Sequence, residues 1–331
     1  MTDNSTRTAL VTGATSGLGY ESARQFAAKG YGRVIVTGRT PRKAELARDS
    51  LTRETGRDVF ESLAIDLSIA SSVAAAAAEL RARSNQIDAL ILNAGIVSGN
   101  GQERTPDGFD LTIASSLVGH HVLTMHLLDD GLLAPRARIV IAGSEAARGD
   151  VPTFSPTDLP ALAANQFAGD LSAAAAAMLK GEQPSRYKAS TTYANAKLFV
   201  AWWAAVLADK LPDGMAVNAV SPGSAPNTLA VRNATWFRRH VMVQVLKHAP
   251  ERLGLGASVA KAASRYLEAT TWGSSRSGHF YASAPKKMTG PLHRVELAHV
   301  VDRASAEAAW NALVRVASAF HAASADARST T

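Results

Sequence analysis

A doubly wound α/β domain, with a mainly parallel sheet of about seven strands and helices on both faces, is predicted by three features of the 331-residue sequence. Short apolar runs at residues 8–11, 33–37, 59–65, 88–92, 137–143 and 216–220 read as strands buried on both sides, and helix-periodic segments separate them. The first run passes directly into a glycine-rich turn that opens a helix. The length suits one large domain with additions.

The turn is Gly13-Ala14-Thr15-Ser16-Gly17-Leu18-Gly19, followed by a helix over residues 20–29. Gly13 permits a tight turn, Gly17 lets a phosphate approach the backbone, and Gly19 lets the helix pack close on the strand. Unpaired N–H groups at such a helix start suit a dinucleotide diphosphate. Gly13, Thr15, Ser16, Gly17, Leu18 and Gly19 are therefore cofactor-binding candidates.

The second strand ends at Gly38-Arg39-Thr40-Pro41-Arg42-Lys43, where an acidic residue would select a ribose 2′-hydroxyl and an arginine accommodates a 2′-phosphate. Arg39, with Arg42 and Lys43 behind it, predicts NADP(H); the alternative is a set of solvated charges at the start of a helix over residues 41–53. The third strand ends at Asp66-Leu67 and leads to a helix over 69–83. Asn93-Ala94-Gly95 closes the fourth at the carboxyl edge, where open α/β sheets bind ligands. Residues 105–128 read as a long helix, and the fifth strand delivers Ser144.

Tyr193 and Lys197 are four residues apart at the head of an apolar helical run, so they share a face. A phenol beside a fixed cation is expected to ionise more easily than usual, which suits general acid/base work. After the sixth strand come Ser221-Pro222-Gly223 and a segment, 225–253, that reads as a lid with Trp236 and Phe237 as an apolar wall. Trp202 and Trp203 belong to the core or to a helical dimer interface. Residues 277–281 form the last strand, 305–319 a C-terminal helix, and 322–331 a disordered tail.

The segments from Thr12 to Gly19, Asn93 to Gly95 and Tyr193 to Lys197, in this order and separation, resemble the short-chain dehydrogenase/reductase family over about residues 7–285. That resemblance implies a single Rossmann-type domain and hydride transfer between nicotinamide and a carbonyl or alcohol. In this reading Tyr193 exchanges the proton, Lys197 lowers its pKa and holds the nicotinamide ribose, and Ser144 steadies the substrate oxygen. Asp66 receives the adenine amino group, Leu67 adds a backbone contact, and Asn93, Ala94 and Gly95 brace the central strands. Pro222, Gly223 and Thr228 contact the nicotinamide face and carboxamide. Where the family usually carries a helix-kinking asparagine of the proton relay, this chain has Ser116 beside Ser115; a serine hydroxyl can still hold a water. Ser144 and Tyr193 are 49 positions apart, far more than is usual, so residues 146–186 are an insertion that either shapes the substrate pocket or makes an oligomer contact. The insertion, last strand and tail resemble the branch of retinol dehydrogenase and light-dependent protochlorophyllide reductase.

Composition narrows the field further. The absence of cysteine excludes disulfides, thiolate metal sites and a thiol nucleophile. The net charge of +7 comes without a Lys/Arg run or interleaved aromatics, so nucleic acid is not an expected partner. His120, His121 and His126 lack metal-ligand spacing. No signal-peptide core or uninterrupted apolar run of membrane-spanning length is seen, and a cytoplasmic protein acting on a small molecule is expected, with homodimer and homotetramer both open. Two alternatives stay beside the carbonyl/alcohol reading: a non-catalytic dinucleotide sensor or scaffold, and a reductase of an activated carbon–carbon double bond.

Overall fold

The computed structural model describes residues 4–96, 98, 101–106, 108–151, 154–182, 187–224 and 257–329, with side chains through residue 320. Thr228 and the proposed lid lie outside the described residues. The strands are β1 Thr8–Val11, β2 Arg33–Gly38, β3 Phe60–Ala64, β4 Ile87–Leu92, β5 Leu133–Ala142, β6 Ala216–Val220, β7 His279–Ala282 and β8 His293–Arg294. They form one eight-stranded sheet in the order β3-β2-β1-β4-β5-β6-β7-β8. The count corrects the expected seven. β8 is only two residues long, pairs antiparallel to Tyr281 and Ala282, and is too short and polar to show a strand pattern in the sequence.

Alternation along the strands divides the core in two. Leu10, Ile35, Leu90, Ile139, Ile141 and Val217 face one layer, packed with helices α3 (Ala70–Arg83), α4 (Leu111–Asp129) and α7 (Ala189–Ala208). Ala9, Val11, Val34, Val36, Ile91 and Val220 face the other, packed with α1 (Gly17–Ala28), α2 (Pro41–Thr55) and α8 (Val259–Ala269). Burial on both faces is why these strands read as continuous apolar runs. Strand order reverses between β1 and β4, which leaves a cleft at their carboxyl ends.

α4 is long and apolar enough to cross a membrane by length and composition, which the sequence reading did not find in any segment; yet 72% of its window is buried inside the protein, as expected of a core helix. Its path is not uniform, because Ala114–Val118 form a π-turn. Residues 146–186 contribute α5 (Leu159–Gln166), absent from the sequence reading, and α6 (Leu171–Lys180), where the sequence suggests a helix over 171–179. Asp158 and Asp170 cap them through backbone N–H groups. α6 packs against α10 (Arg303–Ser329), which follows the short α9 (Ala298–Val301). The helical backbone continues to Ser329, where a disordered tail was expected; the alanines of this stretch favour helix.

Trp202 and Trp203 are each 1% exposed, so both belong to the core of this chain. Trp203 and Trp310 bracket His121 edge-on, with centroids 5.8 and 5.4 Å away. Burial holds the His121 imidazole down at about 4, and its Nδ1 has no hydrogen-bond partner among the described residues. Since the unfolded chain takes up this proton at higher pH, the stability involved is complete above pH 6.5 and is lost as pH falls toward 4. The displacement from 6.5 to about 4 corresponds to roughly 3 kcal/mol at most, at 1.36 kcal/mol per tenfold change in proton affinity. His121→Leu is expected to flatten the fall in melting temperature between pH 6.5 and 4; an unchanged slope excludes His121 as its source. His120, held to about 3, retains the rest.

Candidate functional site

β1 ends in a turn whose geometry only glycine fits. Gly13 and Gly17 have φ of +66° and +58°, and a Cβ on Gly13 would lie 3.0 Å from Ala94 Cα. Among the described residues nothing outside its own turn lies within 4 Å of a Cβ built on Gly17, so that side of its backbone is open to a ligand. A Cβ on Gly19 would overlap the Gly13 carbonyl oxygen and stand 2.6 Å from Asn93 Nδ2. Gly19 therefore packs close beneath the turn, the role its place in the motif suggests. Ser16 caps α1 without a side-chain hydrogen bond, leaving the first-turn N–H groups for an anion.

Thr12 joins the strand tips. Its Oγ1 accepts from the N–H groups of Asn93 (2.8 Å) and Ala94 (3.0 Å) and lies 2.8 Å from His120 Nε2. Ser116 O can only accept, so His120 Nδ1–H donates to it at 3.2 Å and Nε2 is the acceptor facing Thr12 Oγ1, whose other acceptor within reach is Ile91 O at 3.3 Å. This neutral tautomer agrees with the effect of complete burial. Asn93 Nδ2 in turn donates to Thr12 O at 3.0 Å. His120 is thus a structural latch between α4 and β1, a role that histidine spacing alone does not reveal.

The cleft encloses about 690 Å³. On the β2–β3 side it is lined by Arg39, Lys43, Leu46, Asp66 and Leu67, and at its centre by Gly13, Thr15, Ser16, Gly17 and Leu18. On the β4–β6 side come Asn93, Ala94, Gly95, Ile96, Ser115, Ser144, Tyr193, Lys197, Pro222, Gly223 and Tyr266. Arg42 is exposed but is not among the lining residues. Asp66 Oδ1 accepts from Ser68 N and Oγ at 3.0 and 2.6 Å. Ser116, named as a catalytic candidate, lies behind Gly95 and not on the cavity wall: it is buried, its Oγ has no hydrogen-bond partner, and a Cβ on Gly95 would come within 2.9 Å of it. The kink expected there exists as the π-turn.

Ser144, Tyr193 and Lys197 meet at one end of this cleft. The Lys197 ammonium is 5.6 Å from the Tyr193 ring centroid and donates to Ala142 O at 2.7 Å. Ser144 Oγ accepts from Ala146 N, capping a short turn over Glu145–Arg148. Burial raises the Tyr193 phenol, a hydrogen bond with Ser144 opposes this, and Glu145 adds to the rise. The expected lowering by Lys197 is therefore overturned in the unliganded protein. Enclosure penalises both charged forms, and Lys197 itself is brought down to about 8.

Beneath Ser144 lies a polar cluster that sequence reasoning missed. Glu145, 3% exposed, accepts from Ser221 Oγ (2.5 Å) and Ser283 Oγ (2.9 Å), while Arg265 donates to Ser221 O (2.9 Å) and Ser283 Oγ (3.0 Å). Gly223 N donates to Ser221 Oγ at 3.1 Å. The cluster ties together the tips of β5, β6 and β7, and with them the Ser221–Gly223 segment. Its members lie far apart in sequence within no common motif. The open glycine turn, the uncapped α1 terminus and the cationic β2 tip fit a phosphorylated dinucleotide.

Comparison with known proteins agrees with this geometry. Residues 7–156 match the family model described as short chain dehydrogenase. The chain is 32% identical over 236 residues to the WW domain-containing oxidoreductase of Drosophila melanogaster, covering 70% of this chain and 52% of the relative. It is 36% identical over 168 residues to the chloroplastic protochlorophyllide reductase of Chlamydomonas reinhardtii, covering 48% and 42% respectively. Against human retinol dehydrogenase 13 the figures are 27% over 224 residues, 67% of this chain and 60% of the relative. The chain spans about half the length of the first curated relatives that it matches. A metagenomic short-chain oxidoreductase solved in complex with NADP shares the fold, with a TM-score of 0.54 and 20% identity over 83% of this chain and 94% of that one. Fold, strand-tip geometry and relatives agree that the chain belongs to the short-chain dehydrogenase/reductase family, in the branch resembling retinol dehydrogenase and protochlorophyllide reductase.

Proposed function

We propose that the chain is an NADP(H)-dependent oxidoreductase acting on a carbonyl or alcohol of a small, fairly apolar molecule. The observation that carries this reading is the convergence of Ser144, Tyr193 and Lys197 on the cleft that the glycine turn opens. When bound, the nicotinamide supplies or accepts the hydride. Tyr193 gives its proton to the substrate oxygen in reduction and takes it back in oxidation, Ser144 donates a hydrogen bond to that oxygen, and Lys197 holds the ribose. Asp66 meets the adenine amino group. Phe154, with its ring centroid 5.8 Å from that of Tyr193, and Ile96 provide apolar surface beside the reacting atoms.

Arg39 and Lys43 at the β2 tip carry the cofactor preference, and the NADP bound to the metagenomic relative supports it. Arg39→Ala is expected to weaken NADPH about 10-fold and leave NADH unchanged, as for one charge-assisted hydrogen bond lost. Equal affinity of the native protein for NADPH and NADH overturns the preference.

The test of activity is a panel of aldehydes, ketones and secondary alcohols scored by NADPH-linked absorbance. Turnover of at least one, absent without cofactor, is the expected result. Binding of NADPH with no turnover on any substrate favours the dinucleotide sensor, a reading supported by Ser116 standing off the cavity wall. Turnover only of activated alkenes favours double-bond reduction.

A further inference from the structure

We propose that Tyr266 is a cofactor-contact residue whose hydroxyl donates a hydrogen bond to an acceptor oxygen in the nicotinamide half of the bound dinucleotide. The inference rests on reading the cleft as an NADP(H) site and adds a residue that the sequence motifs do not mark.

Tyr266 stands on α8 and is 0% exposed, its ring packed among the apolar residues between α1 and the sheet. The same residue lines the cleft with Ser144 and Tyr193, yet its hydroxyl has no hydrogen-bond partner among the described residues. A buried hydroxyl left without a partner is costly, and a phenylalanine would fill the same space without that cost. The neighbouring polar groups are already committed. Ser221 Oγ accepts from Gly223 N and donates to Glu145, whose carboxylate also accepts from Ser283. Arg265 gives its hydrogen bonds to Ser221 O, Ser283 Oγ and Gly290 O. With the described polar neighbours committed, the cleft's occupant is left as the partner for the Tyr266 hydroxyl.

Charge and position set the kind of ligand atom. Burial keeps the Tyr266 phenol protonated, Tyr193 and Glu145 act in the same direction, and Arg265 opposes them. The hydroxyl therefore offers a proton and calls for an acceptor oxygen. The groups whose charges reach it stand just after β5 (Glu145), on α8 (Arg265) and on α7 (Tyr193), on the Ser144 side of the cleft, remote in the sheet order from Arg39 at β2. Acceptors on that side of a bound dinucleotide are the carboxamide oxygen, the nicotinamide ribose hydroxyls and the adjoining phosphate oxygens.

The experiment compares the native protein with Tyr266→Phe by calorimetric titration with NADPH and with adenosine 2′,5′-bisphosphate, which lacks the nicotinamide half, and by thermal melting without ligand. Expected is a 3- to 10-fold weaker NADPH affinity, the value of one neutral hydrogen bond, with the bisphosphate unaffected and the unliganded melting temperature equal or higher. Unchanged NADPH affinity overturns the proposal alone. Equal weakening of both ligands also overturns it, because the substitution then acts through the fold. If the native protein binds neither ligand, the dinucleotide reading falls and this proposal falls with it.

Discussion

Tyr193→Phe is expected to lower kcat by about 10²- to 10⁴-fold, the usual contribution of a positioned general acid/base, while NADPH binding stays near the native value. The substitution removes one oxygen and keeps the ring that packs beside Phe154, so the wall of the cleft survives. The phenol is raised by burial in the unliganded protein, so alcohol oxidation, which needs the phenolate, should rise toward alkaline pH in the native enzyme. That limb disappears with the hydroxyl. Near-native turnover in the variant would sink the assignment of Tyr193 as the proton-exchanging group.

Gly19→Ala is expected to abolish measurable NADPH binding and to lower the melting temperature. Its added methyl overlaps the Gly13 carbonyl oxygen, which is backbone and cannot rotate away, and crowds the Asn93 amide that braces Thr12. Overpacking of this kind typically costs about 1–3 kcal/mol, and relief requires the turn itself to move. Gly17→Ala is the informative contrast. Nothing lies within 4 Å of its added methyl, so the cost is left-handed strain of order 1 kcal/mol, and affinity should fall more than stability does. Calorimetric titration and thermal melting of both variants check the pair; native behaviour of Gly19→Ala would mean that α1 tolerates displacement from β1.

Much of the site was legible because local chemistry demanded particular residues. Gly13 and Gly17 need positive φ, and the Tyr193–Lys197 spacing places both side chains on one helical face. Six of the strands were visible as apolar runs because both sheet faces are covered. β8 was not, since two polar residues pair only because the loop after β7 returns beside it. α5 differs: its start signal, the Asp158 cap with a proline just inside, is local and was passed over.

Other errors came from treating pairs in isolation. The Tyr193–Lys197 spacing predicted a lowered phenol, but the sign depends on enclosure and on where the ammonium spends its hydrogen bond, here on Ala142 O.

What the amino-acid order determined by itself is whatever depends on nearest neighbours along the chain: the glycine turn, the strand and helix periodicities, the shared face of Tyr193 and Lys197, and the cationic end of β2. Tertiary structure alone decided which distant groups meet: His120 with Thr12, Glu145 with Ser221, Ser283 and Arg265, and the Tyr266 hydroxyl with the cleft. Burial, which sets both the need for a hydrogen-bond partner and the balance of charge, is a property of the packed sheet and helices together and has no counterpart in any short stretch of sequence.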